Sequence, residues 1–421
     1  MIWYRARCAQ ELNDRPEGDG TLLCEDALKA DLRPWRGQAQ CVYLDPPGLS
    51  GEAAVCRVRV GEEGWASGKP ALLLPAYRER PAAQAAAHLE TLRGLLEAAR
   101  SLLNDTGSVF LHVDSEHAAR ARLLMDEVFG EAQFRNEIIW VYQTGGRSRR
   151  SFSRKHDVLL FYAKSPAHRF DVTGVPLRRE KRSNHLKRSV DEQGRSYRTL
   201  TSGGKTYVYY DDEPVYPGDV WADVSLMQQK DPQRTGYPAQ RPQALLDRVI
   251  LSTTRPGDLV ADLTCGSGTA LASAAAHGRR FLGVDASAAA FAVSRRRLDG
   301  YRLHCRAPLC EHGGAMLDAA AQPGVGFYAV TLNDFVLPPE DLQGLKTEPR
   351  GLSFSGLDCV DQWYAGLLHA GVFRACDSAM RTRANPSLPT QLRVPMLRGS
   401  AAALVVDVLG RRTLWTGSGA L

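Results

Sequence analysis

The sequence predicts an α/β protein with a doubly wound, mostly parallel sheet and helices on both faces. Three observations predict it. Apolar strands alternate with amphipathic helices from residue 21 to about residue 300. One strand runs into Asp45-Pro46-Pro47, and another runs through a Gly266-Ser267-Gly268 turn into a helix of small residues.

Residues 21–45, TLLCEDALKADLRPWRGQAQCVYLD, read as strand, short helix and strand, with Asp26 after the first strand and Asp45 at the end of the last. Both acids then lie on one rim of the sheet. Proline lacks an N–H for a ladder and fixes φ, so the Pro46-Pro47 pair must stop the strand. The resulting rigid acidic loop is either a plain strand exit or a place where chemistry is done. Residues 51–79 hold short apolar runs among glycines and polar residues and read as a loop.

Over residues 82–103 the apolar positions Leu89, Leu92, Leu95, Leu96, Ala99, Leu102 and Leu103 recur at three and four, which predicts an amphipathic helix. SVFLHV, residues 108–113, reads as a buried strand. Residues 116–129 read as a helix, with short strands at 137–142 and 157–162. QRPQALLDRVILSTT, residues 240–254, is a helix with Pro242 tolerated near its first turn. DLTCGSGTALASAAAHGRRFLGVDAS, residues 262–287, is strand, Gly turn, helix, strand and acid.

The 421 residues are 44% hydrophobic and 24% charged, an ordinary balance for a globular protein, and no stretch approaches a membrane span. The N-terminus lacks a signal-peptide core, so a cytoplasmic location is expected. Nine scattered cysteines argue against a disulfide framework. HCRAPLCEH, with Cys305, Cys310 and His312, comes closest to metal-ligand spacing, but no second pair follows and no metal site is expected.

The net charge of +6 is unevenly spread. From Arg147 to Lys205 there are sixteen Lys or Arg against five Asp or Glu, so the remainder is net acidic. The basic residues Arg147, Arg149, Arg150, Arg154, Lys155, Arg178, Arg179, Lys181, Arg182, Lys187 and Arg188 stand among Tyr, Phe and His. That mixture suits phosphate contact and base stacking, while a solvated charged insertion is the plainer alternative.

In the Gly-rich block, Gly266 and Gly268 let backbone approach a ligand at a helix N-terminus. Asp285 lies seventeen residues past Gly268, where a ribose-binding acid belongs. Leu271 occupies the place of the third glycine in a dinucleotide fingerprint. That argues against a pyrophosphate, hence against an NAD-linked enzyme, and for a nucleoside without phosphates. S-adenosyl-L-methionine fits that description.

CVYLDPP, the strand-acid block LLCEDALKADL, FSRKHDVLLFYAKS, GYPAQRPQALLDRVI, DLTCGSGT and the segment ARSLLNDTGSVFLHVDSEHAARARLLMDEVFGEAQFRNEIIW together resemble the beta class of amino-methylating DNA methyltransferases. The modification subunits of type III restriction systems are the particular likeness. The resemblance covers residues 20–300 and implies a Rossmann-like S-adenosylmethionine-dependent methyltransferase fold with permuted motif order and an inserted target-recognition region. It implies a catalytic half over residues 1–145, a basic target-recognition insertion over 146–235 and a cofactor-binding half over 236–300, with 301–421 left as an accessory region.

By the same resemblance, a flipped base presents its exocyclic amine to Asp45 and to the carbonyl of Pro46 in the loop Asp45, Pro46, Pro47 and Gly48. Asp26, Asp262, Thr264, Gly266, Gly268, Thr269 and Asp285 would form the cofactor pocket, and Gln240, Arg241 and Pro242 would cap its methionine end. Asp at the head of the Pro-Pro motif favours N6 of adenine. DNA is the implied partner, with a homodimer and restriction or phage-defence subunits as further expectations. The chain departs from the family's pattern at Gly48, where an aromatic platform is usual, at Leu263-Thr264, at Ala239 and at Asp285. These departures raise a second reading, a catalytically degenerate subunit that binds DNA.

Overall fold

The computed structural model describes residues 2–5, 19–143, 149–177, 188–306, 315–349 and 354–417. At its centre lies a sheet of fourteen strands. Seven consecutive strands, Leu103–Asp114, Ala39–Leu44, Leu259–Asp262, Arg280–Asp285, Gly20–Cys24, Leu303–Arg306 and Ile2–Arg5, run parallel to their neighbours. His156–Ala163 and Phe134–Val141 extend one edge by antiparallel pairing. The expected mostly parallel, doubly wound core is present.

Apolar side chains alternate on each strand and divide the core into two layers. Cys41 and Tyr43 join one layer with Leu245, Val249, Ala270 and Ala274, so helices Gln243–Thr253 and Thr269–Ala276 cover that face. Val42 and Leu44 join the other with Leu92, Leu96, Leu124 and Met125, so helices Ala85–Leu102 and Ala118–Phe129 cover it. Asp45 follows Tyr43 with the same period of two. Its side chain therefore emerges on the face of helix Gln243–Thr253.

Two expectations need correction. Residues 51–79 are not a loop: Ala53–Arg59 and Ala71–Arg78 pair antiparallel around a short helix, Gly61–Ser67, and Lys346–Glu348 adds a third strand. Cys56 is buried while Val55 is exposed, the alternation of a half-covered strand, which the glycines nearby obscure. The basic insertion is narrower than 146–235, because His156–Ala163 sits inside the central sheet. Its separate part is a three-stranded sheet of Arg188–Val190, Ser196–Ser202 and Lys205–Tyr210.

The region after residue 300 is continuous with the core. Val372–Met380 pairs with Ile2–Arg5, and Val360–His369, Ser400–Asp407 and Arg412–Thr416 complete the large sheet. Met316–Pro323, Phe327–Val336 and Gln391–Pro395 form a further sheet whose Val330, Phe335 and Val394 pack with Trp363 and Val405. Cys310 and His312 lie outside the described residues, and Cys305 is buried in a strand. No helix among the described residues is long and apolar enough to cross a membrane.

Candidate active site

A cavity of ≈ 560 Å³ opens at the carboxyl ends of the parallel strands, where open α/β sheets bind ligands. Its walls include Asp26, the loop Asp45, Pro46, Pro47 and Gly48, the turn from Asp262 to Ser267, Thr269, Asp285 and Arg241. Segments separated by more than two hundred residues thus share one site. Gln240, Pro242 and Gly268 do not line it.

The Gly turn is held from both sides. Gly266 and Gly268 have φ of +49° and +69°, a backbone that L side chains rarely adopt. A Cβ on Gly268 would lie 2.6 Å from Ser294 Oγ, so this glycine serves the close approach of helix Ala288–Arg297 rather than a ligand. The Gly266 N–H donates to Asp285 Oδ2 at 2.8 Å, and the Ser287 N–H donates to Asp285 Oδ1 at 2.8 Å. Burial raises the pKa of Asp285, with both backbone donors opposing. Buried Asp262 is pushed well up by desolvation although it accepts from Thr264 N–H at 3.1 Å. Thr264 Oγ1 accepts from Asp45 N–H at 3.2 Å and so ties the Gly turn to the acidic loop.

Arg241 lines the same cavity. Its Nε and Nη2 donate to the two oxygens of Asp45 at 2.7 and 3.1 Å, and its Nη1 donates to Asp157 Oδ2 at 2.9 Å. It clamps two carboxylates at once. Burial favours neutral Asp45, but the Arg241 charge outweighs it and holds the carboxyl below its usual range. Burial likewise opposes the Arg241 charge, and Asp45 outweighs it.

Behind this clamp runs a polar chain that sequence reading did not single out. Asp157 also accepts from Tyr142 Oη at 2.8 Å and meets His112 Nε2 at 3.1 Å, while His112 Nδ1 lies 2.7 Å from Tyr43 Oη. Burial works against Asp157, but His112 and Arg241 hold its pKa at about 2. Tyr43, Asp45, His112 and Asp157 share one face for a simple reason. Phe110 and His112, Asp157 and Phe161, and Tyr43 and Asp45 keep the period of two on three neighbouring strands. The alternation of polar residues inside apolar runs was the available signal.

Gln240 serves the loop before it. Its Oε1 accepts from Thr235 N–H and Oγ1 at 2.9 and 2.8 Å, and its Nε2 donates to the Gln233 carbonyl at 2.8 Å. Pro242 caps helix Gln243–Thr253. Thr269 Oγ1 donates to the Arg241 carbonyl at 3.3 Å, and Asp26 turns the backbone by accepting from Leu28 N–H at 3.0 Å.

A Cβ on Gly48 would meet the Glu79 carboxylate at 3.2–3.3 Å. Tyr77, two residues earlier on the same side of the hairpin, lines the cavity with its ring 6.3 Å from that of Tyr237. Trp65 lies elsewhere, against Arg59 and Arg296. Of the basic residues, Arg149 and Arg150 are exposed, Arg154 pairs with Glu116 at 2.7 Å, and Arg188 approaches Asp211 at 3.4 Å. The carbonyl of Lys155 accepts from Tyr142 N–H. Arg147, Arg178, Arg179, Lys181, Arg182 and Lys187 lie outside the described residues.

With this site assembled, comparison with known proteins is decisive at one level. A family profile described as DNA methylase, of the N6/N4 methyltransferases, matches residues 39–296. The chain belongs to the DNA methylase family.

Similar curated members of the family include the Type II methyltransferase M.BglII of Bacillus subtilis, 29% identical over 45% of this chain and 51% of its own. The Type II methyltransferase M.EcaI of Enterobacter cloacae is 23% identical over 63% of this chain and 67% of its own. The DNA adenine methyltransferase YhdJ of Escherichia coli is 26% identical over 47% and 62%. The matches therefore span between about half and two thirds of these relatives' lengths. These relatives are type II enzymes or an adenine methyltransferase, rather than the type III subunits of the initial likeness. Among solved structures, the PvuII DNA methyltransferase, cytosine-N4-specific, shares 14% identity over 66% of this chain and 86% of its own at a TM-score of 0.45. The M1.HpyAVI–SAM complex shares 15% over 66% and 99% at 0.42.

Proposed function

We propose that this DNA methylase family member transfers a methyl group from S-adenosyl-L-methionine to an exocyclic amine of a flipped DNA base, N6 of adenine being the preferred target. The observation that carries this reading is the meeting of Asp45 and Pro46 with the Gly turn and Asp285 in one cavity.

The residues fit the cofactor. A cavity of ≈ 560 Å³ falls inside the roughly 300–1,000 Å³ of small-molecule sites. It carries an acidic acceptor, Asp285, where two ribose hydroxyls can donate, and it lacks the third glycine that a pyrophosphate needs. When bound, S-adenosyl-L-methionine supplies an electrophilic methyl on a sulfonium. Asp285 is braced for its role by two backbone donors and keeps acceptor lobes free for hydroxyls.

Asp45 holds and aims the amine. Each carboxylate oxygen has two acceptor lobes, and Arg241 uses one on each, so a lobe remains for the amine's N–H beside the Pro46 carbonyl. The nitrogen lone pair would then be left free, pointing away from both acceptors. The methylated amine would have one proton to shed, and solvent in the open cavity would take it, because Arg241 holds Asp45 in its ionised form. Arg241 keeps Asp45 ionised and fixed throughout.

Tyr77 provides the stacking face that Gly48 lacks. Its ring enters the cavity from the hairpin, beside Glu79, the residue that confronts Gly48. The names of the relatives do not favour the degenerate reading. Digestion of DNA methylated with labelled cofactor, followed by nucleoside chromatography, tests the target: label in N6-methyladenine supports the reading, and label in N4-methylcytosine moves the target to cytosine.

A further inference from the structure

A second cavity, of ≈ 520 Å³, backs onto the first across a thin apolar wall of Cys56, Tyr237, Ala289 and Ala290. Its lining is strongly basic, with six arginines against two aspartates. The arginines come from four separate parts of the chain. Arg57 and Arg59 lie on the hairpin, Arg234 precedes the Gln240 loop, Arg296 and Arg297 end helix Ala288–Arg297, and Arg383 follows strand Val372–Met380.

Few of these charges are neutralised. Asp361 is taken by Arg296 at 2.6 Å, Asp407 by Arg411 at 3.0 Å, and Arg57 is paired with Glu348 at 3.1 Å. Arg59, Arg234 and Arg383 pair with no carboxylate among the described residues. Among the described residues Arg297 donates only to neutral acceptors, the Ser267 carbonyl at 3.1 Å and Thr269 Oγ1 at 2.8 Å. Burial, then repulsion from Arg383, Arg57 and Arg296, brings Arg59 down to about 10, and burial does the same to Arg297. Trp65 lies under the guanidinium groups of both Arg59 and Arg296, at 4.8 and 4.4 Å, which fixes their planes.

Like charges are not gathered in a recess without a counter-charge to hold them. A solvated surface patch would scatter its arginines, whereas here parts 57–59, 234, 296–297 and 383 converge. Planar guanidinium forks match the oxygens of a phosphoryl group in pairs, and such contacts are the strongest that arginine makes.

We infer that this second cavity is a binding site for a phosphoryl anion, gripped by Arg59, Arg297 and Arg383. The anion is either a backbone phosphate of bound DNA or a free polyphosphate. Arg297 also touches the Gly turn from behind, so occupancy of the second cavity bears on the first.

Calorimetric titration of the full chain with tripolyphosphate, and separately with a short duplex oligonucleotide, tests the site. The double variant Arg59→Gln/Arg383→Gln should bind tripolyphosphate about tenfold more weakly or worse, since charge-assisted contacts are lost. Arg383 is exposed, so Arg383→Gln alone should keep the fold and lose roughly threefold or more, deciding the matter if the double variant does not fold. An equal loss for the duplex, with a shallower salt dependence, assigns the site to the DNA backbone. A loss for tripolyphosphate only assigns it to a free anion. Wild-type protein that ignores millimolar tripolyphosphate, or a folded Arg383→Gln variant that binds as tightly as wild type, overturns the inference.

Discussion

Replacing Tyr77 by alanine should weaken methyl transfer far more than replacing it by phenylalanine. The ring is the part that faces the cavity, and base–aromatic stacking contributes about 1–3 kcal/mol, so Tyr77→Ala should lower kcat/KM by roughly 5- to 150-fold. The hydroxyl is a bystander in this account. Burial, helped by Asp45 and Glu79, pushes its pKa up to about 12, so it stays neutral at any assay pH, and Tyr77→Phe should cost less than about threefold. Restoring the aromatic at its usual place gives a further check. In the Tyr77→Ala background, Gly48→Tyr alone should not rescue, because its Cβ meets the Glu79 carboxylate at 3.2 Å. Glu79 also holds the Ser50 N–H at 2.9 Å, which keeps it in place. Adding Glu79→Ala opens that space and should recover part of the rate. The assay is steady-state methylation of a defined duplex with labelled cofactor. Equal losses for the alanine and phenylalanine variants, or no loss for alanine, would refute the stacking role.

Other consequences are equally direct. Arg241→Gln removes the partner of two carboxylates at once and should destabilise the protein by about 3–5 kcal/mol in urea unfolding at neutral pH, with much of the loss recovered when Asp157→Asn is added. Asp157 has a folded pKa of about 2 against an ordinary 3.8, so its stabilisation, about 2 kcal/mol, is complete above pH 4 and is lost as pH falls toward 2. Unfolding measured between pH 2 and 5 should show that slope in wild type and a flatter one in Asp157→Asn. Asp285→Asn should weaken cofactor binding by roughly 10- to 150-fold, because both backbone N–H groups and the ribose hydroxyls lose a charged acceptor. Equilibrium dialysis measures it directly.

The parallel core was legible because its strands are buried on both faces and its helices carry an uninterrupted three-and-four period. Asp45 and Asp285 were legible for a related reason: each ends a strand beside a residue that stops it or turns it. The hairpin of Ala53–Arg59 and Ala71–Arg78 escaped because its strands are covered on one side only and joined through glycines. Tyr77 escaped with it. The partner of Asp45 could not be read from Gln240-Arg241-Pro242, since ranking the three needs to know which side chain points inward. Only the folded chain shows that Gln240 is consumed by Thr235 and Gln233, leaving Arg241 to reach Asp45. The second cavity was invisible for a simpler reason, because its arginines are spread from Arg57 to Arg383 and the one local run among them, Arg295-Arg296-Arg297, gives no sign of the distant residues that join it.

The central claim is that Asp45, steadied by Arg241, directs an amine of DNA toward the cofactor's methyl group. Transfer of labelled methyl from S-adenosyl-L-methionine to mixed, unmethylated genomic DNA, run beside an Asp45→Ala variant of equal cofactor affinity, tests it most directly. Label should enter DNA in wild-type reactions and be lost with Asp45→Ala. Label that survives the substitution, or wild-type protein that binds the cofactor and leaves DNA unlabelled, would contradict it.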